Sequence, residues 1–146
     1  MLPMEDYSNL PKEAAGAGIG RYVVASVIER SGSVLILKRP GNDFMGGIYE
    51  LPSGKMETKE TVEEALRRET REETGLEIES IRKYLGHFDY MSKNGKATRQ
   101  FNFLVSAYGN EIILSEHDGY AWIDKMGIDK YMLTDEVKSI IMPVLA

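Results

Sequence analysis

The sequence predicts an α/β fold, a mixed β-sheet held between helices. Three observations lead there. Short runs rich in Val, Ile and Phe recur through both halves of the chain. One long helix, bounded by Thr61 and Gly75, lies between them. A second apolar helical stripe closes the C-terminal end. A sheet has two faces to cover, and helices layered on both sides cover them.

At 146 residues the chain suits a single domain with a substantial core. Hydrophobic content of 42% and charged content of 28% are ordinary for a globular protein. No apolar run is long enough to span a bilayer, and no basic-then-apolar leader opens the chain, so no membrane partner is expected. The absence of cysteine excludes disulfides and thiolate metal sites and fits a reducing cytoplasm. A net charge of −5 argues against a nonspecific grip on nucleic acid polymers. It leaves room for one small phosphorylated substrate, because bound cations reverse the local sign. A homodimer is compatible with this composition.

Residues 1–19 carry Pro3, Pro11 and several glycines with little periodicity, and are expected to form an extension, partly ordered at best, ahead of a domain spanning 20–146. Arg21 to Glu29 alternates and is rich in Val and Ile, which reads as a strand. Arg30-Ser31-Gly32 turns it, and Ser33 to Lys38 runs back as a buried partner ending in Lys38-Arg39-Pro40. Gly41 to Gly47 reads as a loop, and Ile48 to Pro52 as a short strand entering Ser53-Gly54-Lys55.

Thr61 followed by Glu64 forms a capping-box signature, and Gly75 suits the left-handed position after a helix. A helix of about thirteen residues fits between them. At roughly 100° per residue, Val62, Ala65, Leu66, Glu69 and Glu73 share one side, with Glu72 flanking. Glu63, Glu64, Arg67 and Arg71 form an ordinary solvated face of ion pairs. The inward apolar stripe thus becomes a carboxylate stripe. Unpaired like charges toward a core are costly, and hard divalent cations are bound by such oxygen clusters. A glycine at position 54 lets the backbone approach a ligand closely, and its carbonyl could join a metal shell.

Beyond this helix, Leu76 to Phe88 is strand-like, Lys93-Asn94-Gly95-Lys96 is a hairpin signal, and Thr98 to Tyr108 alternates as a clear strand. An acidic loop, Ser115 to Asp118, leads into a short aromatic strand holding Trp122. His87 is assigned no role. Thr134 can cap a last helix with Val137, Ile140, Ile141 and Val144 as its core stripe and Pro143 fraying its end.

Gly54, Glu60, Arg68, Glu69, Glu72, Glu73, Gly75 and Leu76 fall on the spacing of the Nudix box, and the stretch resembles that of the nucleotide-pyrophosphate hydrolases. Two positions depart from it: Thr70 stands where an aliphatic residue is usual, and Ser53 where a glycine is. The resemblance, to MutT-like members of the superfamily, implies a Nudix-type α/β/α sandwich from about residue 20 onward. It implies Mg²⁺, with Mn²⁺ as substitute, held by Glu69, Glu72, Glu73 and the Gly54 carbonyl, with Glu116 as an outlying ligand and Asp118 in reserve. Glu60 and Arg68 would brace the loop against the helix, while Arg39 and Lys55 are candidate substrate contacts. Glu69, Glu73 and Glu116 are the catalytic candidates, with Glu69 or Glu116 as general base.

The activity implied is water attack on a nucleoside diphosphate linked to another moiety. Of such substrates a nucleoside triphosphate, cleaved to monophosphate and pyrophosphate, is preferred. The proline that marks many ADP-ribose hydrolases, the tyrosine of dinucleoside polyphosphate members and the coenzyme A motif are not at their expected places. ADP-ribose or another nucleotide sugar is the runner-up. A binding module that senses a nucleotide without cleaving it is disfavoured because no box carboxylate is missing.

Overall fold

The computed structural model describes residues 6–42 and 45–146. Its elements run α1 (Asn9–Gly16), β1 (Arg21–Arg30), β2 (Ser33–Lys38), β3 (Tyr49–Glu50), β4 (Ser53–Lys55), α2 (Val62–Thr74), β5 (Glu77–Met91), β6 (Ala97–Tyr108), β7 (Gly119–Ile123) and α3 (Asp135–Ile141). Residues 43 and 44 of the expected loop lie outside the described residues, as do residues 1–5 of the expected extension.

β1 is the strand the others join. It runs parallel to β6 from Arg21 opposite Thr98 to Ile28 opposite Val105. On its other side Val23 to Ala25 pair antiparallel with Lys55 to Ser53 of β4, and Glu29 and Arg30 pair with the start of β2. β5 flanks β6, while β2 carries β3 and β7. The sheet is therefore mixed. Positive φ at Ser31 (52°) and Gly32 (83°) gives the β1–β2 turn the twist that antiparallel neighbours need.

Alternation along β1 divides the core. Val24 and Ile28 pack with Leu66 of α2 and with Phe101 and Phe103, whereas Ala25 and Val27 pack with Val137 and Ile141 of α3. Helices thus cover opposite faces, the sandwich expected of the sequence. Of residues 48–52, expected as one strand, only Tyr49–Glu50 are strand, and the chain then changes arms of the sheet. β3 pairs with β2, and the chain crosses at Leu51-Pro52 to join β1 as β4.

The stretch ahead of β1 carries a helix rather than an irregular extension. Ala14 of α1 is fully buried, and Tyr7 and Leu10 pack on the same cluster as α2. Tyr7 meets Phe103 edge-on at 4.9 Å between ring centroids. Tyr7, Leu10 and Ala14 keep a helical spacing that Pro11 and the glycines disguise. Pro11 is the third residue of α1, where its missing N–H would have no helical acceptor.

α2 has its expected bounds. The Glu64 amide donates to Thr61 Oγ1 at 3.1 Å, and the Thr61 amide donates to Glu64 Oε1 at 2.9 Å. Gly75 ends the helix at φ 77°. Thr70, where the family usually has an aliphatic residue, is buried with its hydroxyl 2.6 Å from Ser26 Oγ of β1. The two hydroxyls satisfy one another inside the interface between helix and sheet. Thr70→Val keeps the volume but leaves Ser26 without that partner, and should cost about 1–3 kcal/mol in denaturant unfolding. Adding Ser26→Ala should recover most of the loss. An equal loss in single and double variants would show that the hydroxyls do not act as a pair.

Candidate active site

The site grows from the joint between β4, the following loop and α2. Arg68 holds that joint. Its guanidinium donates to both oxygens of Glu60, at 2.6 and 2.8 Å, to Glu69 at 2.6 Å, to Glu72 at 3.2 Å and to the Lys55 carbonyl at 3.0 Å. Hydrogen bonding from Arg68 keeps the Glu60 carboxyl below its usual range. Glu60 also accepts from the Glu57 amide at 2.8 Å. Glu60 and Arg68 therefore brace the loop against the helix.

Glu69 and Glu73 lie one turn apart on the face turned toward the sheet. Burial raises the Glu69 carboxyl, against the opposing pull of Arg68. Glu73 is more deeply enclosed, and burial pushes it up to about 7 although the Ser53 amide donates to it at 2.6 Å. Gly54 lies directly against Glu69: a Cβ built there would fall within the carboxylate. This accounts for glycine at position 54. Glu72 stands at the helix edge, its side chain about half exposed (56%).

His117 and Glu50 complete the cluster, and neither was assigned a role from sequence. Glu50 receives Arg39 Nη1 at 3.0 Å and His117 Nε2 at 2.8 Å. His117 Nδ1 stands 3.6 Å from Glu73 Oε2, beyond hydrogen-bonding distance, and is buried without a hydrogen-bond partner. Burial opposes protonation of this imidazole, but the bond to Glu50 and the charges of Glu73 and Glu50 outweigh it and raise its pKa. The available signal was strand alternation carried back from β7. Ile123, Ala121, Gly119 and His117 fall on one side; Tyr120, Asp118 and Glu116 fall on the other and are exposed.

A cavity of about 550 Å³ opens beside this cluster. Arg39, Glu50, Ser53, Gly54, Glu73, Glu116 and His117 all border it. Glu116 is exposed there, whereas Asp118 accepts from the Gly41 amide at 3.1 Å. Lys55 and Glu69 border a separate cleft of about 420 Å³. Arg39 is thus committed partly to Glu50, and Lys55 borders the second cleft rather than the main cavity.

The donor set suits a divalent cation. Glu69 and Glu73 offer hard carboxylate oxygens at partly buried positions one helical turn apart, and Gly54 leaves its backbone room to approach. Arg68 and the Ser53 amide now hold those carboxylates, and among the described residues no three acidic or histidine side chains are drawn around one point.

An α/β/α sandwich with this loop–helix joint defines a class of nucleotide-processing hydrolases. The chain belongs to the NUDIX domain family, whose sequence model matches residues 19–141. It is 31% identical over 100 residues to the CTP pyrophosphohydrolase of Escherichia coli, covering 68% of this chain and 73% of that protein. It is 36% identical to the ADP-ribose pyrophosphatase of Methanocaldococcus jannaschii over 61% of this chain, spanning about half (52%) of that protein. The crystal structure of a MutT NUDIX hydrolase from Burkholderia pseudomallei aligns with a TM-score of 0.70 at 27% identity, covering 83% of this chain and 95% of that one. The protein is accordingly a Nudix pyrophosphohydrolase, acting on a nucleoside diphosphate joined to another moiety. Among the described residues no helix is long and apolar enough to cross a membrane.

The Glu73 environment predicts a pH dependence of the metal-free fold. Its folded pKa, about 7, lies above the ordinary 4.5, so the folded state retains a proton that the unfolded state releases. The stability this group contributes is full below about 4.5 and is lost as pH rises through about 7. Metal-free wild type should therefore lose Tm relative to Glu73→Gln between about pH 5 and pH 8. A difference in Tm that stays constant across that window would contradict this.

Proposed function

We propose that this chain is a Mg²⁺-dependent cytoplasmic nucleoside triphosphate pyrophosphohydrolase that releases monophosphate and pyrophosphate, with Mn²⁺ as substitute. The observation that carries the reading is the partly buried Glu69–Glu73 face, with Gly54 against Glu69 and with Glu73 on the wall of a nucleotide-sized cavity. The E. coli CTP pyrophosphohydrolase, similar over most of its own length, supports a triphosphate. The archaeal ADP-ribose pyrophosphatase supports the second reading, a nucleotide sugar, over a shorter match.

Glu69, Glu72, Glu73 and the Gly54 carbonyl would hold the cation. Held by these residues, a divalent cation would supply charge neutralisation at the pyrophosphate and so make phosphorus a better electrophile. His117, braced by Glu50, keeps Glu73 in place through charge, while the Ser53 amide fixes its other oxygen. Arg39, on the cavity wall, and Lys55, on the neighbouring cleft, would contact substrate oxygens. Glu116 borders the cavity exposed, whereas Glu69 is bonded to Arg68, so Glu116 is the better acceptor for the proton of the attacking water. The water oxygen bonds to the inner phosphorus, the bridging P–O bond breaks, and pyrophosphate leaves with that electron pair.

Hydrolysis in ¹⁸O-labelled water should put the label in the monophosphate and should stop when chelator removes the metal. Label in orthophosphate would mean attack at the terminal phosphorus and would defeat this reading. Glu73→Gln, which removes the anion at constant size, should lower kcat by roughly a hundred- to a thousandfold. Glu116→Gln should lower it less. An unchanged rate in folded Glu73→Gln would remove this helix face from the mechanism.

A further inference from the structure

The inner wall of the cavity holds a polar chain outside the carboxylate cluster. Asn102 is fully buried on β6. Its Nδ2 donates to two backbone carbonyls, Gly86 at 3.1 Å and Gln100 at 3.3 Å. Carbonyls only accept, so they fix which end of the Asn102 amide is nitrogen and turn its Oδ1 toward Gln100. Gln100 Nε2 donates to that Oδ1 at 2.9 Å. The Gln100 amide is oriented in turn, and its Oε1 is the end left over. Gln100 is 7% exposed, borders the cavity, and has no partner for Oε1 among the described residues.

Register places this group relative to the reaction centre. Lys55, Val23, Gln100 and Phe88 form one row across β4, β1, β6 and β5, with side chains on a common face. Two strand spacings, about 10 Å, separate Gln100 from β4. Its neighbours in the row, Val23 and Phe88, are apolar, and Arg21 and Tyr90 border the same cavity one step further along that face. An oriented amide flanked by apolar side chains is a pattern by which a pocket fixes and selects a flat heterocycle.

We propose that Gln100 reads the nucleobase. Its Oε1, held as an acceptor by the Gly86–Asn102–Gln100 chain, favours a base that presents an exocyclic amino group over the counterpart bearing a keto oxygen. A keto oxygen there would face another acceptor and leave both unpaired, and a site built around a hydrogen bond discriminates strongly against such a mismatch. Asn102 is a positioning residue that sets the polarity of Gln100 without reaching the cavity.

Titration calorimetry of the Mg²⁺-loaded protein with CMP against UMP, and AMP against IMP, tests this. Wild type should bind the amino member at least about tenfold tighter than the keto member in one or both pairs. Gln100→Leu should bring that ratio to within about threefold by weakening the amino member. Asn102→Ala should also lower it, by strengthening the keto member, because the freed Gln100 amide can turn its nitrogen into the cavity. Equal wild-type affinities within both pairs, no binding of any of the four, or an unchanged ratio in Gln100→Leu would overturn the assignment. Base reading presupposes the nucleotide substrate proposed above, yet the two fail separately. Triphosphate turnover tests the reaction, and the monophosphate ratios test Gln100 whichever pyrophosphate is cleaved.

Discussion

Arg68 is the constraint on which the rest of the site depends. One guanidinium holds three carboxylates and a backbone carbonyl, joining Lys55 and Glu60 of the loop to Glu69 and Glu72 of the helix. The planar fork of arginine meets both oxygens of Glu60 at once, which a lysine could not reproduce. The loop between β4 and α2 is thereby fixed in length and direction. Gly54 is brought so close to Glu69 that no side chain fits. Arg68 also offsets the mutual repulsion of acids that burial would otherwise make costly.

The sheet supplies the second half of the arrangement. β1 pairs with β4 near the site and with β6 along most of its length, so a single strand ties the carboxylate cluster to Gln100. Backbone polarity is used at both ends. The Ser53 amide fixes Glu73, and the Gly86 carbonyl fixes Asn102. Ser26 and Thr70 join the helix to the sheet between them by a buried hydroxyl pair. The two hydroxyls satisfy each other there, which limits the cost of burying polar groups in an apolar layer.

Local chemistry determined what could be read from the sequence. α2 was legible because its caps, Thr61 with Glu64 and then Gly75, act within a few residues, and its stripe follows from helical period alone. The same spacing put Glu69 and Glu73 inward, and the resemblance to the Nudix box suggested Glu60 and Arg68 as a brace. α1 was missed because Pro11 and nearby glycines mask a short apolar spacing that becomes helical by docking on Phe103 and α2. The carboxylates of Glu69, Glu72 and Glu73 were expected to converge, yet Arg68 and the Ser53 amide hold them individually, a balance of contacts that spacing does not show. His117 and Glu50 lie far apart in sequence and meet only when β3 and β7 flank β2. Gln100 was hidden for a related reason. In a strand it is one polar residue among alternating positions, and only the buried Asn102 gives its amide a direction.

The central claim is that the Glu69–Glu73 face beside Gly54 is a divalent-cation site. Crystals of the wild-type protein grown with Mn²⁺, with diffraction collected at the manganese absorption edge, test it most directly. An anomalous peak should appear between the Gly54 carbonyl and the carboxylates of Glu69, Glu72 and Glu73, with Glu69 turned from Arg68 toward the ion. A peak elsewhere on the molecule, with Glu69 still bonded to Arg68 and Glu73 to the Ser53 amide, would contradict the account.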